Sequence, residues 1–386
     1  MQKAVIIIPT YNESGNIGPL IDKLGELFNK IPASWKMNIL VVDDSSPDGT
    51  ADVVKEKMMK YKNLFLLLNK EKVGLGGAYI RGMSWAVKEI NPDLMIEMDA
   101  DFQHDLNLIP KFLEEIEAGA DLVIAARYIK GGSIPKYWGL FRKTLSMGGN
   151  LFTRIVMMDG SIHDWTTGFR AVKPWVFLKV KDKITELKTY SFQISFLYFA
   201  RKEGAKIVEI PLNFGERKWG ESKLPALEGT IKTFWFVVKT RALDFLRSRF
   251  FKFGIVGFIG YIINALGLEF FYRFFKIPAG VAASLGAELA IISNFSLDNL
   301  WTFSDKKIEG IGNLLVKFLQ FNLTSVGAII IQGLVVGIGT RILGDELRQI
   351  MLVIAIGFFV LPFNYTVYNL FIWKTWKFPF STSPSK

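Results

Sequence analysis

The amino-acid sequence predicts a doubly wound, mostly parallel α/β domain, then amphipathic interface helices, then a four-helix transmembrane domain. Three observations carry this. Short apolar runs alternate with charged, helix-like stretches as far as about Arg249, the order that builds βαβ units. From Phe250 onward long apolar stretches dominate and charges gather in short connectors. Half of the 386 residues are hydrophobic and the mean hydropathy is +0.26, high for a soluble protein. The expected domains are residues 1–223, 224–250 and 251–386.

In the first domain, strands are expected at residues 5–8, 39–42, 64–68, 94–98 and 122–126, each an apolar run bounded by turn residues. Helices are expected between and after them, at 17–29, 50–61, 77–90 and 108–118. Ligands of such sheets collect beyond the carboxyl ends of the strands, so the polar residues there matter most. The first strand ends in Pro9-Thr10-Tyr11-Asn12-Glu13, where a ring and a carboxylate could pack a base and hydrogen-bond a ribose. An ordinary turn capped by Asn12 or Ser14 is the plainer alternative. The second ends in Asp43-Asp44-Ser45-Ser46-Pro47-Asp48-Gly49-Thr50. Asp44 suits a nucleobase edge, and Ser46 to Gly49 suit a turn and helix cap. Gly74-Leu75-Gly76-Gly77 lacks the spacing and position of a dinucleotide-binding fingerprint and reads as a flexible helix start near the sugar-phosphate site.

The fourth strand leads into Glu97-Met98-Asp99-Ala100-Asp101-Phe102-Gln103-His104-Asp105. Side chains alternate along a strand, so Asp99 and Asp101 are expected on one side. Two carboxylates there repel unless a cation lies between them. Gln103 adds a neutral oxygen, and three hard donors suit Mg²⁺ or Mn²⁺. Such a metal holds a diphosphate and takes up the charge that develops as it leaves. A lone Asp-x-Asp is more simply a solvated acidic loop; its place at a strand end favours the metal.

Ile8-Pro9-Thr10-Tyr11-Asn12-Glu13, Val42-Asp43-Asp44-Ser45-Ser46-Pro47-Asp48-Gly49-Thr50, Met98-Asp99-Ala100-Asp101 and Gly220-Glu221-Ser222-Lys223-Leu224 resemble inverting family 2 glycosyltransferases, most closely the dolichyl-phosphate mannose synthases. The resemblance covers about the first 230 residues. It implies a GT-A-type sheet and a metal-dependent transfer of mannose from GDP-mannose to dolichyl or another polyprenyl phosphate. On this resemblance Pro9, Tyr11, Glu13, Val42 and Asp44 would hold the nucleoside. Asp99, the Ala100 backbone and Asp101 would position the sugar and the metal-bound diphosphate. Arg127 would meet phosphate, and Arg217 and Lys223 would close over the diphosphate from a loop. Arg142 and Ser146, four apart on one helix face, resemble the family's acceptor-phosphate contact, to which Arg127 also belongs. Asp164 matches a motif lining the acceptor side and is expected to orient its neighbours. The expected catalytic set is Asp99, Asp101, Arg127 and Arg217.

A lipid phosphomonoester is largely ionised near neutral pH, so its oxygen needs no general base. That agrees with a chain holding only two histidines, His104 and His163. One in-line attack inverts the anomeric centre. The Gln-x-x-Arg-Trp motif of processive synthases is absent from the sequence, so a single transfer is expected. The rival readings are transfer from a UDP-sugar such as UDP-glucose to undecaprenyl phosphate, and a lipid-linked-sugar flippase or membrane scaffold.

Residues 224–250 alternate apolar and basic side chains, with Phe234, Trp235 and Phe236 among them, as helices on an anionic membrane surface do. Spans are expected at 251–271, 279–300, 315–338 and 350–373, and parts of them resemble the GtrA-like membrane family. An even number of spans, a modest basic bias and no signal peptide predict a multi-pass cell-membrane protein with its catalytic domain and carboxyl terminus cytoplasmic. Glu269 and Asp298 are expected to snorkel or hydrogen-bond at span ends, while Glu288 has no simple account. Small residues such as Ala282, Ser284 and Gly286 would permit close packing, within the chain or in a homodimer. The net charge of +11 suits phosphate ligands and anionic lipid; no basic run interleaved with stacking aromatics points to nucleic acid. With no cysteine, disulfides are excluded.

Overall fold

The computed structural model describes residues 1–184, 190–215, 226–276 and 278–376. Two compact units emerge, Met1–Arg241 and Ala242–Lys386.

The first unit is built on seven strands: β1 Gln2–Thr10, β2 Trp35–Asp43, β3 Leu64–Leu68, β4 Leu94–Glu97, β5 Leu122–Ala126, β6 Arg170–Val172 and β7 Ile207–Pro211. Their order in the sheet is β3-β2-β1-β4-β6-β5-β7. Among the described strands, only β6 runs antiparallel to its neighbours, β4 and β5. Helices α1 Ser14–Phe28, α2 Thr50–Lys60, α3 Gly74–Glu89 and α4 Ile109–Glu117 follow the first four strands in turn. Then come α5 Leu140–Met157, α6 Pro174–Ile184 and α7 Tyr190–Lys202.

The sheet is apolar on both faces, as a parallel sheet covered by helices must be. Along β1, Ala4, Ile6 and Ile8 pack with Ile17, Leu20 and Leu24 of α1, while Val5 and Ile7 face Tyr79 and Met83 of α3. The unbroken run Val5-Ile6-Ile7-Ile8 is thereby explained: it is buried twice over. The chain moves outward through β1, β2 and β3, then returns to place β4 on the other side of β1. That reversal is the switch point at which such sheets hold ligands.

Helix α8, Ala226–Arg247, contains the boundary between the units, and it exposes Ile231, Phe234, Trp235, Phe245 and Leu246. The second unit is helical: α9 Arg249–Phe274, α10 Ala279–Leu297 and α11 Ile311–Leu343. A last helical stretch joins α12 Arg348–Ile354, a π-helical segment Ala355–Val360, α13 Leu361–Val367 and a second π-helical segment Tyr368–Ile372. Among the described residues, two helices are long and apolar enough to cross a membrane, Arg249–Phe274 and Ala355–Ile372. Helices α10 and α11 occupy the other two stretches expected to span. Close crossing of α9 and α10 depends on glycine: a Cβ on Gly267 would lie 2.9 Å from the Gly286 Cα.

The polar residues of this unit differ in part from expectation. Glu288 Oε2 accepts a bond from Asn322 Nδ2 at 3.4 Å, giving that carboxylate a partner on another helix. Glu269 pairs with Arg273 one turn on. Asp298 does not snorkel. It is fully buried, and among the described residues neither carboxyl oxygen has a hydrogen-bond partner.

Candidate active site

A cleft of about 330 Å³ opens at the carboxyl ends of the strands, bounded by residues that follow β1, β2, β4 and β5. Pro9, Tyr11 and Glu13 come from the end of β1, Asp44 from β2, and Asp99, Ala100, Asp101 and Gln103 from the turn after β4. Arg127 follows β5, and Arg142 reaches in from α5.

Each acidic strand end turns through a non-glycine residue with positive φ: Asn12 at 56°, Ser45 at 54° and Phe102 at 63°. For the bulky Phe102 this conformation is strained. The strand itself stops at Glu97, so the pleat does not bring Asp99 and Asp101 together. The turn does. Asp101 is 5% exposed and its Oδ1 accepts the Gln103 N–H at 3.1 Å, folding the turn back on itself. Gln103 Nε2 donates to the Gly215 carbonyl at 3.2 Å. Asp99 N–H donates to His104 Nδ1 at 3.2 Å, and Tyr79 Oη donates to Asp99 Oδ1 at 3.3 Å. His104 is buried against Phe169, with ring centroids 4.7 Å apart. Its role is to hold the turn.

The second strand end divides its two carboxylates between structural tasks. Asp43 accepts from Thr10 Oγ1 and from both Ser46 N–H and Oγ. Asp44, at 4% exposure, accepts from Asn69 Nδ2 at 2.7 Å, Val73 N–H at 3.1 Å and Gly74 N–H at 2.9 Å. It therefore fixes the start of α3 as well as bordering the cleft. Asp48 caps α2 through Thr50 and bonds Ser14 N–H. Partial burial opposes ionisation of Asp48, but those bonds outweigh it and bring the carboxyl down to about 2. Lys72 Nζ lies 3.7 Å from the centre of the Tyr11 ring, a cation over a π face at the mouth of the cleft.

Arg127 is held in a clamp. Its Nε donates to Asp164 Oδ2 and its Nη2 to Asp164 Oδ1, both at 2.7 Å, and its backbone N–H adds a third bond at 3.0 Å. Nη2 also donates to Thr166 Oγ1 at 2.7 Å. Asp164 is fully buried. Burial pushes its carboxyl up, yet the Arg127 guanidinium outweighs this and holds it below the usual carboxylate range. Behind it, Glu209 of β7 accepts the backbone N–H groups of His163 and Asp164 at 2.8 and 3.1 Å, and pairs with the His163 ring at 2.6 Å. The expectation that Asp164 orients its neighbours describes this arrangement.

On α5, Arg142 stacks over the buried Trp138 at 4.1 Å and borders the cleft. Ser146 shares that face one turn on, its Oγ 2.6 Å from Tyr128 Oη. The opposite face of α5 is apolar and open: Leu140, Met147, Leu151 and Ile155 are 53–81% exposed. Val42 does not reach the cleft. Its side chain is buried under α3, where a Cβ on Gly82 would meet it at 2.8 Å. Arg217 and Lys223 lie outside the described residues.

Residues 5–177 match the family model for glycosyl transferase family 2, and residues 252–373 match that for the GtrA/DPMS transmembrane domain. A dolichol-phosphate mannosyltransferase of Pyrococcus furiosus is 35% identical over 320 residues, 82% of this chain and 85% of that protein. The chain belongs to glycosyl transferase family 2. A polyprenol monophosphomannose synthase of Mycolicibacterium smegmatis is 37% identical over 58% of this chain and 81% of its own length. An undecaprenyl-phosphate mannosyltransferase of Micrococcus luteus is 39% identical over 58% of this chain and 87% of its own.

This family 2 glycosyltransferase also buries an ion pair beneath its cleft that sequence reasoning passed over. Glu97 of β4 stands opposite Arg170 of β6, both fully buried, with Nε and Oε2 3.2 Å apart but not aligned as a hydrogen bond. Arg170 Nη2 donates to the Thr167 carbonyl at 2.9 Å, which fixes the loop beside Asp99. Burial pushes the Glu97 carboxyl up to about 7, against the pull of Arg170. Its stabilising contribution is therefore complete below pH 4.5 and lost as pH rises through about 7. Glu97→Gln is expected to flatten that decline between pH 5 and pH 8. Thermal unfolding of both proteins across that range checks it; parallel curves would mean that Glu97 stays ionised throughout.

Proposed function

We propose that the cleft transfers mannose from GDP-mannose to a polyprenyl phosphate, dolichyl phosphate first among them, in a single inverting step. The observation that carries the reading is that the acidic turn at Asp99–Asp101 and the clamped Arg127 border one cleft at the sheet's switch point. The names of the relatives support a mannosyl donor and a lipid phosphate acceptor.

Tyr11 offers a face to the base, with Lys72 over it and Asp44 alongside. Asp99, Asp101 and Gln103 supply two carboxylates and an amide from one turn, a donor set that fits Mg²⁺ or Mn²⁺. When bound there, such an ion neutralises charge on the departing diphosphate. The clamp engages the Nε and Nη2 donors of Arg127 and fixes its guanidinium at the border of the cleft, where it would meet phosphate. Arg142 adds a second cation on the acceptor side. A phosphate oxygen attacks the anomeric carbon; that bond forms as the bond to the diphosphate oxygen breaks, and the electron pair leaves with GDP. No proton needs to be removed.

The open face of α5 places an apolar surface on the same helix that carries Arg142 to the cleft. It and the exposed Ile231, Phe234 and Trp235 of α8 would lie on the bilayer, bringing a membrane-bound phosphate within reach. Helices α9, α10, α11 and the stretch ending at Ile372 would be four spans of a multi-pass protein, with the catalytic domain cytoplasmic.

The test is transfer by detergent-purified protein to short-chain dolichyl phosphate, comparing GDP-mannose with UDP-glucose, each with Mn²⁺ and with chelator. Metal-dependent product from GDP-mannose alone is expected. Product from UDP-glucose would change the donor and keep the mechanism. No product from either would remove the reading.

A further inference from the structure

The helical unit contains a groove of about 530 Å³ between α11 and the helical stretch that ends at Ile372. Its wall changes character along its length. Lys317 of α11 and Lys374, just past the last helix, stand at one end. Gln320 and Thr324 come next along α11, Phe371 and Ile372 precede Lys374, and Leu323, Gly327, Phe363 and Val367 line the rest. Among the described residues no acidic side chain lines it.

Two features make the cationic end more than a chance meeting of lysines. Lys317 Nζ donates to the Phe371 carbonyl at 2.8 Å and to Gln320 Oε1 at 2.9 Å, so the ammonium is held at the mouth. The two lysines also come from distant parts of the chain, one on α11 and one just past the last helix, and converge on one groove. A single lysine at a membrane boundary merely snorkels; a convergent pair at one end of a groove whose far end is hydrocarbon has a direction. From Lys317 to Gly327 the wall runs about 15 Å at 1.5 Å per residue, half of a hydrocarbon core of about 30 Å. That is one leaflet. At the apolar end a Cβ on Gly327 would sit 3.0 Å from the Phe363 ring, so glycine there keeps the ring close to α11 as the floor of the groove.

We propose that this groove holds one anionic phospholipid, with its phosphate on Lys317 and Lys374 and an acyl chain along Leu323, Gly327 and Phe363. Ammonium meets phosphate, the Gln320 amide and Thr324 hydroxyl meet the glycerol esters, and the apolar wall meets the chain. The proposal rests on the reading of this unit as membrane-spanning.

Native mass spectrometry of the full chain, released from detergent with added phosphatidylglycerol or phosphatidylcholine, tests it. One retained phosphatidylglycerol is expected, in preference to phosphatidylcholine. The Lys317→Gln/Lys374→Gln variant is expected to lose about thirtyfold in retention, since each basic residue near an anionic headgroup is worth about fivefold. Because Lys317 also caps the last helix, Lys374→Gln alone is measured as well, with about a fivefold loss expected. Equal retention of both lipids, or unchanged retention in both variants, overturns the proposal. Displacement of phosphatidylglycerol by an equal amount of polyprenyl phosphate overturns the choice of occupant. Extraction of the protein from membranes by alkaline carbonate would instead remove the membrane reading itself, separately from the lipid preference.

Discussion

Asp101→Asn is expected to lower sugar transfer by about a thousandfold while leaving the unfolding temperature nearly unchanged. The two effects separate because of what the side chain does in the fold. Asp101 is buried, and its Oδ1 accepts the Gln103 N–H that folds the turn back on itself. Asparagine keeps that oxygen and the volume, so the strained turn at Phe102 is retained. What it removes is one of the two negative charges that would hold a divalent cation under the diphosphate. Initial rates at saturating donor and acceptor, read beside thermal unfolding, check both halves. A rate within threefold of the parent would sink the metal assignment.

Asp164→Ala should act on stability and turnover together. The Asp164–Arg127 pair is bidentate and buried, and removing one partner of such a pair typically costs about 3–5 kcal/mol. For a domain of this size that is a fall in unfolding temperature on the order of 10 °C. Transfer should fall too, because a guanidinium freed from its clamp no longer presents a fixed edge to phosphate. The cost also has a pH signature. The folded carboxyl lies below its unfolded value of 3.8, so its contribution is present above that value and fades as pH falls through the folded value. The gap between parent and variant should close on acidification. A gap of less than 2 °C at pH 7 would show that the loop, and not the ion pair, holds Arg127.

The sheet was legible where burial writes itself into composition. Strands β1 to β5 are apolar on both faces, and their runs stand out from the charged helices between them. Strand β6 does not, because its first residue is a fully buried arginine, and β7 carries Glu209. A charge inside a strand is tolerated only with a partner, and Glu97 and the His163–Asp164 backbone come from distant parts of the sequence. The clamp on Arg127 was legible only through family resemblance, for the same reason. Asp99 and Asp101 were singled out on strand alternation, whereas the turn after β4 brings them to one cleft. The apolar stripe of α5 has the periodicity of a core helix, and only its exposure distinguishes it. Val42 has the buried position its apolar neighbours suggest, away from the cleft wall.

The reversed strand β6 has a consequence for how sugar choice can change. It stands between β4 and β5, so the acidic turn and Arg127 are separated by two strand spacings, roughly 10 Å. The chain leading into β6 floors that gap with Gly168, where a Cβ would lie 3.6 Å from Asp99 Oδ2 and 3.5 Å from Gln193 Nε2. Neither charged edge of the cleft is supplied by this floor. A lineage can therefore narrow or widen the space between them by exchanging the small residues Thr167 and Gly168, and try new hexoses while Thr166 keeps its place in the Arg127 clamp.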